Sequence, residues 1–289
     1  MIEVEHLAHT FDTGFQGLHG VSFVVEPGEF VAVIGPNGSG KTTLSKHLNG
    51  LLKPTSGRVT IDGVDTRSAS VAQLSRHVGF IFQNPDRQIF NYTVEEEVSF
   101  ALKLRKCSAE DTALRVKSAL DSVGLSDVGD RHPRALSGGQ RQRLAMATVF
   151  AMDTKILVLD EPTTGQDFHA RRQVMTMVDE LNKAGTTVFM VTHDMNLVSE
   201  YAQRVLVMHK GRLIMDASPA RVFNSAEVMD TAQLERPDAA QIAKSSKLLG
   251  SRTDILTWED LKTVICEALN RYPETCAGTA HAEGIRQCP

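Results

Sequence analysis

Phe30-Val31-Ala32-Val33-Ile34-Gly35-Pro36-Asn37-Gly38-Ser39-Gly40-Lys41-Thr42-Thr43 sets the class of the whole chain. Its first five residues form a continuous apolar run that ends in a turn, as a buried strand does. The next eight fit the phosphate-loop pattern, with the strand before it and the helix after it that the pattern requires. Glycines there let backbone N–H groups approach a phosphate, and the start of a helix adds positive potential. In this pattern Lys41 reaches the β- and γ-phosphates and the Thr42 hydroxyl ligates magnesium. Downstream, Leu44, Leu48, Leu51 and Leu52 fall on one helical stripe, which Pro54 is expected to end.

Away from this loop the chain alternates strands and helices. Residues 1 to about 80 read as short strands around the loop and its helix. From about 84 to 150 the pattern turns mainly helical. Thr93 and Glu96 make a capping box, with Val94, Val98, Ala101 and Leu102 on one face behind it. Favourable charge in a helical first turn accounts for Glu95, Glu96 and Glu97 better than a metal site does. A helix is expected over Ala109–Val123 with Gly124 just past its end, and another from near Ser137. Strands return at Ile156–Leu159, Thr187–Val191 and Val205–Met208, with a helix around His169–Lys183 between the first two. This order predicts an α/β fold with a mixed, mostly parallel sheet covered by helices. Residues 1–230 are expected to form the main domain, with a helical subdomain at about 84–150. Residues 231–289 would be a C-terminal extension with a frayed end from Gly278.

Composition narrows the field. The chain has 289 residues, 42% of them hydrophobic and 23% charged, which are ordinary globular values. A net charge of -4 gives no case for a nucleic-acid partner, and none is expected. The start, Met1-Ile2-Glu3-Val4-Glu5, lacks the basic region and apolar run of a signal peptide. No apolar stretch approaches the roughly 20 residues that a membrane helix needs. Of the four cysteines, Cys107, Cys266, Cys276 and Cys288, none forms a CxxC pair. Cys276, His281 and Cys288 fit no zinc spacing, so reduced thiols are expected.

Two further stretches carry chemistry. Lys155-Ile156-Leu157-Val158-Leu159-Asp160-Glu161 is a buried strand that delivers an acid pair to its exposed end. Asp160 there suits magnesium and Glu161 suits a general base on water, while a helix cap is the plainer alternative. Leu136-Ser137-Gly138-Gly139-Gln140 precedes the basic helical run Arg141-Gln142-Arg143. Ser137 stands where an N-cap would, and the two glycines bare the amides behind it. The chain therefore presents two anion-binding ends, and one nucleotide does not need both. A dimer in which each chain's second end closes on the partner's nucleotide resolves this.

With these motifs the sequence resembles the ATP-binding-cassette ATPases over residues 2 to 220. Leu136–Gln140 is that family's signature motif unaltered. The resemblance implies a P-loop NTPase cassette with a helical subdomain carrying the signature, ATP and Mg2+ as ligands, and hydrolysis coupled to transport. Gln83 matches the Q-loop glutamine that contacts magnesium or water, and Asp167 the acidic residue of the D-loop. His193 matches the switch histidine on the γ-phosphate, and Phe11 the aromatic residue that stacks on adenine, with Phe15 close by. Catalysis would then rest on Glu161, His193, Gln83 and Lys41, and the metal on Thr42, Gln83 and Asp160. Gln166 departs from the pattern, because leucine is usual there.

Gln83-Asn84-Pro85-Asp86-Arg87-Gln88 resembles the Q-loop extension of energy-coupling factor transporters, which import vitamins and cobalt or nickel. Leu234–Gln241 and Ile255–Leu261 resemble their C-terminal tail. The implied partners are a second cassette chain (a copy or close paralogue), a transmembrane coupling protein and a membrane substrate-binding protein. The implied location is the cytoplasmic face of the membrane, held peripherally. A conventional importer or exporter ATPase is the alternative. A soluble cassette acting on DNA or ribosomes would need a long coiled coil or a second cassette, and a kinase or GTPase leaves Leu136–Gln140 without a role. Pro85 should bar regular helix after Gln83, leaving a hinge beside a partner groove lined by Ile89, Phe90 and Tyr92, with packing of the subdomain core as the alternative role for these three.

Overall fold

In a computed structural model, residues 1–246 and 254–271 are described. The expected frayed end, Cys276, His281 and Cys288 lie outside them. Two compact units divide the chain, Met1–Leu234 and Glu235–Pro289.

The first unit begins with β1 (Ile2–Thr10), β2 (Gln16–Val25), β3 (Phe30–Ile34) and α1 (Lys41–Leu48). β4 (Ser56–Ile61), β5 (Val64–Asp65), α2 (Val71–Leu74) and β6 (Val78–Ile81) follow. Next come α3 (Val94–Leu104), α4 (Ala109–Ser122), α5 (Gly138–Ala151), β7 (Ile156–Asp160) and α6 (Phe168–Lys183). β8 (Thr187–Val191), α7 (Met195–Tyr201), β9 (Arg204–His209), β10 (Arg212–Ala217), α8 (Pro219–Asn224) and α9 (Ala226–Thr231) complete it.

Six strands form the central sheet in the order β10-β9-β3-β8-β7-β6. Its members are parallel except β10, which runs antiparallel to β9. The mixed, mostly parallel sheet expected from the alternation of elements is therefore present. A second sheet, β2-β1-β4-β5, is wholly antiparallel and was not specified by that alternation.

The period of two along each central strand builds two cores at once. Val31, Val33, Ile156, Val158, Phe189 and Val191 face β1, β2, β4 and α1. Phe30, Leu157, Leu159, Val188 and Met190 face the other way and share one core with Val98, Leu102, Val116, Leu120 and Leu144 of α3–α5. The helical segment is thus built onto one sheet face rather than packed around a core of its own.

Local signals hold at three helix starts. Thr93 and Ser137 each form a capping box, with Glu96 and Gln140 respectively. Ser108 caps α4, and Gly124 takes the left-handed backbone just past its end, φ 64°. One expectation is corrected. α1 stops at Leu48 rather than running to Pro54, because Gly50 adopts φ 75° and turns the chain out of the helix. Leu51 is consequently exposed. Glu95, Glu96 and Glu97 do occupy the first turn of α3, as expected. Glu97 is buried and accepts hydrogen bonds from the backbone N–H groups of Phe90 and Asn91 at 3.0 and 2.7 Å.

In the second unit, α10 (Asp238–Ser245) and α11 (Trp258–Arg271) pack Ala239, Ala243, Ile255, Leu261 and Val264 into a small core. No helix among the described residues is long and apolar enough to cross a membrane.

Candidate functional site

β3 ends at Ile34 with its side chains buried, and the chain must turn sharply onto α1. Gly35 takes φ 147°, where any Cβ would lie 2.1 Å from the Met208 carbonyl oxygen. Gly40, at φ 101°, is likewise closed to a side chain by the Gly17 carbonyl at 2.9 Å. The loop wraps the Lys41 ammonium, which donates to the carbonyls of Gly35 at 2.7 Å and Pro36 at 3.0 Å. Burial pushes this lysine's pKa down, while Glu161 and Asp160 oppose the shift. A buried ammonium whose hydrogen bonds among the described residues go to two neutral carbonyls is poised to exchange them for an anion. Ser39 is also buried, and its Oγ has no partner among the described residues.

β7 brings the acids to the same end of the sheet. Asp160 is buried and accepts a hydrogen bond from the Thr42 hydroxyl at 3.3 Å. Burial pushes its pKa up, and the nearby Glu161 adds to that, against the Thr42 hydrogen bond. Glu161 itself adopts φ 54°, a left-handed backbone that costs a non-glycine residue about 1–2 kcal/mol. Its Oε2 meets His193 Nδ1 at 2.5 Å and accepts from the Thr164 hydroxyl at 3.1 Å. The helix-cap alternative for this acid pair does not describe the structure. The cap of α6 is Asp167, whose carboxylate accepts from the Ala170 N–H at 2.8 Å.

Phe11, Phe15, Gly17, Asn37, Gly38, Ser39, Gly40, Lys41, Thr42, Thr43, Gln83 and Glu161 line one cavity of about 400 Å³. The two phenylalanine rings stack with centroids 6.2 Å apart. The aromatic wall of this cavity is therefore a pair, where Phe11 alone was assigned. Gly17 is a lining residue that no sequence signal marked; a Cβ there would meet the Phe11 ring at 2.8 Å. Gly35, Pro36, Asp160 and His193 do not line the cavity but touch residues that do. His193 reaches it only through Glu161, and most of its ring is exposed.

After Gln83 the chain makes a single 3-10 turn, Pro85–Arg87, capped by Asn84. Pro85 opens that turn, since its fixed φ suits a first helical position. Two contacts tie this turn to α5: Asp86 to Arg141 Nε at 2.8 Å, and Gln88 Nε2 to the Thr148 hydroxyl at 3.2 Å. Ile89 packs against the core, while Phe90 and Tyr92 are exposed.

Leu136–Gln140 stands apart from the cavity. Ser137 Oγ accepts from the Gln140 N–H at 3.3 Å, and Gln140 Oε1 accepts from the Ser137 N–H at 2.9 Å. Among the described residues, and apart from chain neighbours and the helix's own backbone, nothing lies within 4 Å of where a Cβ on Gly138 or Gly139 would sit. The start of α5 is an open face.

Residues 18–164 match the family described as ABC transporter. A putative ABC transporter ATP-binding protein of Methanosarcina mazei is 44% identical over 265 residues, covering 91% of this chain and 45% of that protein. The chain thus spans less than half the length of that relative. The energy-coupling factor transporter ATP-binding protein EcfA of Methanothermobacter thermautotrophicus is 40% identical over 263 residues, covering 90% of this chain and 85% of the relative. The solved structure of cbiO1 from Clostridium perfringens, described as part of the ABC transporter complex cbiONQ, matches with a TM-score of 0.71 at 36% identity. That match covers 79% of this chain and 92% of the other.

Proposed function

The chain belongs to the ABC transporter family, and from that premise we propose that it is the ATP-hydrolysing subunit of a membrane importer of the energy-coupling factor type. Two copies, or one copy and a close paralogue, close around two nucleotides. They drive uptake of a vitamin or transition-metal ion through a transmembrane coupling protein and a membrane substrate-binding protein. The chain acts from the cytoplasmic face as a peripheral subunit.

One observation carries this reading. Lys41, Thr42, Gln83 and Glu161 are gathered at one cavity, while Ser137 and the uncrowded Gly138 and Gly139 of the same chain lie outside it. Each chain holds half of what hydrolysis needs, so a second chain supplies the rest.

The phosphate loop from Gly35 to Thr43 binds the phosphates, with Lys41 trading its two carbonyl partners for phosphate oxygens. Phe11, backed by Phe15, offers a π-face to the adenine. The donor set fits magnesium: the Thr42 hydroxyl and Asp160 carboxylate are hard oxygens already in contact, and Gln83 adds an amide oxygen. Bound there, the ion would neutralise phosphate charge. Glu161 takes the proton from the attacking water, and His193 and Thr164 hold its carboxylate in place. His193 turns to the γ-phosphate when the dimer closes. Ser137, Gly138 and Gly139 cap the partner's nucleotide with backbone N–H groups, and Asp167 lies beside that interface.

The test is co-purification from gently solubilised membranes, with partners identified by mass, beside ATPase activity of the captured complex. Recovery of two distinct membrane proteins with the cassette pair is expected. Active ATPase with no membrane protein attached would overturn the transporter reading.

A further inference from the structure

Pro162, directly after Glu161, has a buried carbonyl that accepts two side-chain amides. Gln142 Nε2 of α5 donates to it at 3.1 Å, and Gln166 Nε2 donates at 3.3 Å. Gln142 is almost fully buried. Gln166 is the residue that departs from the family pattern, and its Oε1 is buried with no partner among the described residues. An apolar side chain there would avoid that cost, so the amide's one bond is what Gln166 contributes.

The two donors approach from different parts of the molecule. Gln142 lies two residues past Gln140, on the helix whose first turn is the signature. Gln166 ends the turn that starts at Glu161, a turn also closed by Gln166 N–H to the Thr163 carbonyl at 3.2 Å. Inside that turn Thr164 holds the Glu161 carboxylate. Glu161 itself keeps a left-handed backbone, φ 54°. Such a conformation persists only where its surroundings over-determine it. The Pro162 carbonyl is the fixed point next to it.

We propose that Gln142 and Gln166 are positioning residues that clamp the Pro162 carbonyl and so hold Glu161 in its left-handed, His193-facing conformation. The clamp rests on the reading of Glu161 as general base. It also joins the signature helix, which serves the partner's nucleotide, to the base that serves the chain's own. Because the carbonyl has two donors, either one suffices to keep it satisfied, and the loss of both leaves a buried acceptor bare.

The experiment compares Gln142→Met, Gln166→Met and the double variant of the full chain by kcat, KM for ATP, nucleotide affinity and thermal midpoint. Methionine keeps the length and removes the donor. Each single variant is expected to lose about threefold in kcat, and the double about thirtyfold or more, well beyond the product of the two. KM and nucleotide affinity should stay near wild type, since neither residue lines the cavity. A double variant whose loss equals or falls below the product of the singles overturns the clamp. So does a loss that appears in KM and affinity rather than in kcat. If the double variant does not fold, Gln166→Glu decides at a half-buried loop position. Its carboxylate should depress kcat at neutral pH and recover towards wild type, measured at the same pH, as protonation restores a donor. A ratio that does not change with pH overturns the proposal. Glu161→Gln separates the two claims: wild-type turnover there defeats the base, whereas a dead Glu161→Gln beside a fully active double variant defeats only the clamp.

Discussion

Lys41 and Ser137 both sit at the start of a helix that offers N–H groups to an anion, yet their surroundings differ. Lys41 is buried, bonded to two carbonyls, and close enough to Asp160 and Glu161 for both to act on its pKa. The side chains of Ser137 and Gln140 bond each other's backbone N–H groups, and no side chain crowds the glycines between them among the described residues. One end is a finished pocket inside the chain, and the other is an open surface, which the proposed dimer would close. Binding should therefore belong to the first end alone, and turnover to both.

Changes at the finished end should have the largest effects. Glu161→Gln keeps shape and hydrogen bonding but cannot take a proton, so turnover should fall about 10²–10⁴-fold while ATP binding survives. Steady-state ATPase and equilibrium nucleotide binding check this, and wild-type turnover would refute the role. Lys41→Ala removes the one ammonium in the loop. ATP affinity should fall about a hundredfold, as expected for charged hydrogen bonds worth about 3 kcal/mol, and hydrolysis should go with it. Unchanged affinity at physiological magnesium would contradict the site.

A pH effect sharpens the contrast, because the finished end stands on a buried histidine pair. His47 Nδ1 donates to the Thr43 carbonyl at 2.7 Å, its Nε2 meets His9 Nδ1 at 3.2 Å, and the His9 ring meets Phe11 edge-on. Burial pushes the His47 pKa from 6.5 down to about 4, with the Thr43 carbonyl opposing and His9 adding to the shift. The unfolded chain takes up a proton below 6.5 and the folded chain does not until about 4. The contribution to stability is full above 6.5 and is lost as pH falls towards 4, by about 3 kcal/mol at most. Urea unfolding from pH 7.5 to 4.5 should show that fall in wild type and a flatter curve in His47→Leu. Equal slopes would show that His47 is not the group responsible.

The smallest effect is expected at Phe90 and Tyr92. Their rings are mostly exposed, so alanine at either should change folding stability by no more than about 0.5 kcal/mol and leave isolated ATPase near normal. Assembly with membrane partners should weaken. Loss of basal ATPase or folding, with no selective loss of assembly, would make them ordinary packing residues.

How much of this was legible in the sequence follows from the range of each interaction. The phosphate loop, the Thr93–Glu96 box and the Ser137 cap are local, with all partners within a few residues, and they stand where their residues put them. Asp160 and Glu161 were legible because an apolar strand ends at them. The end of α1 was misread, since the leucine stripe continues to Leu52 but the backbone turns at Gly50. Glu97 looked like its two neighbours, and only the return of residues 90–91 over α3 makes it a buried acceptor. The His9–His47 pair, Gly17 under Phe11, and the two amides on Pro162 join residues from separate elements, and no spacing announces them.

The central claim is that each chain holds half of each of two sites, and one measurement addresses it directly. The mass of the Glu161→Gln protein is followed in solution with and without ATP, alone and combined with Ser137→Arg. The account predicts that ATP doubles the mass of Glu161→Gln, while Glu161→Gln/Ser137→Arg binds ATP equally well and stays single. A doubled mass in both proteins, or in neither, would contradict it.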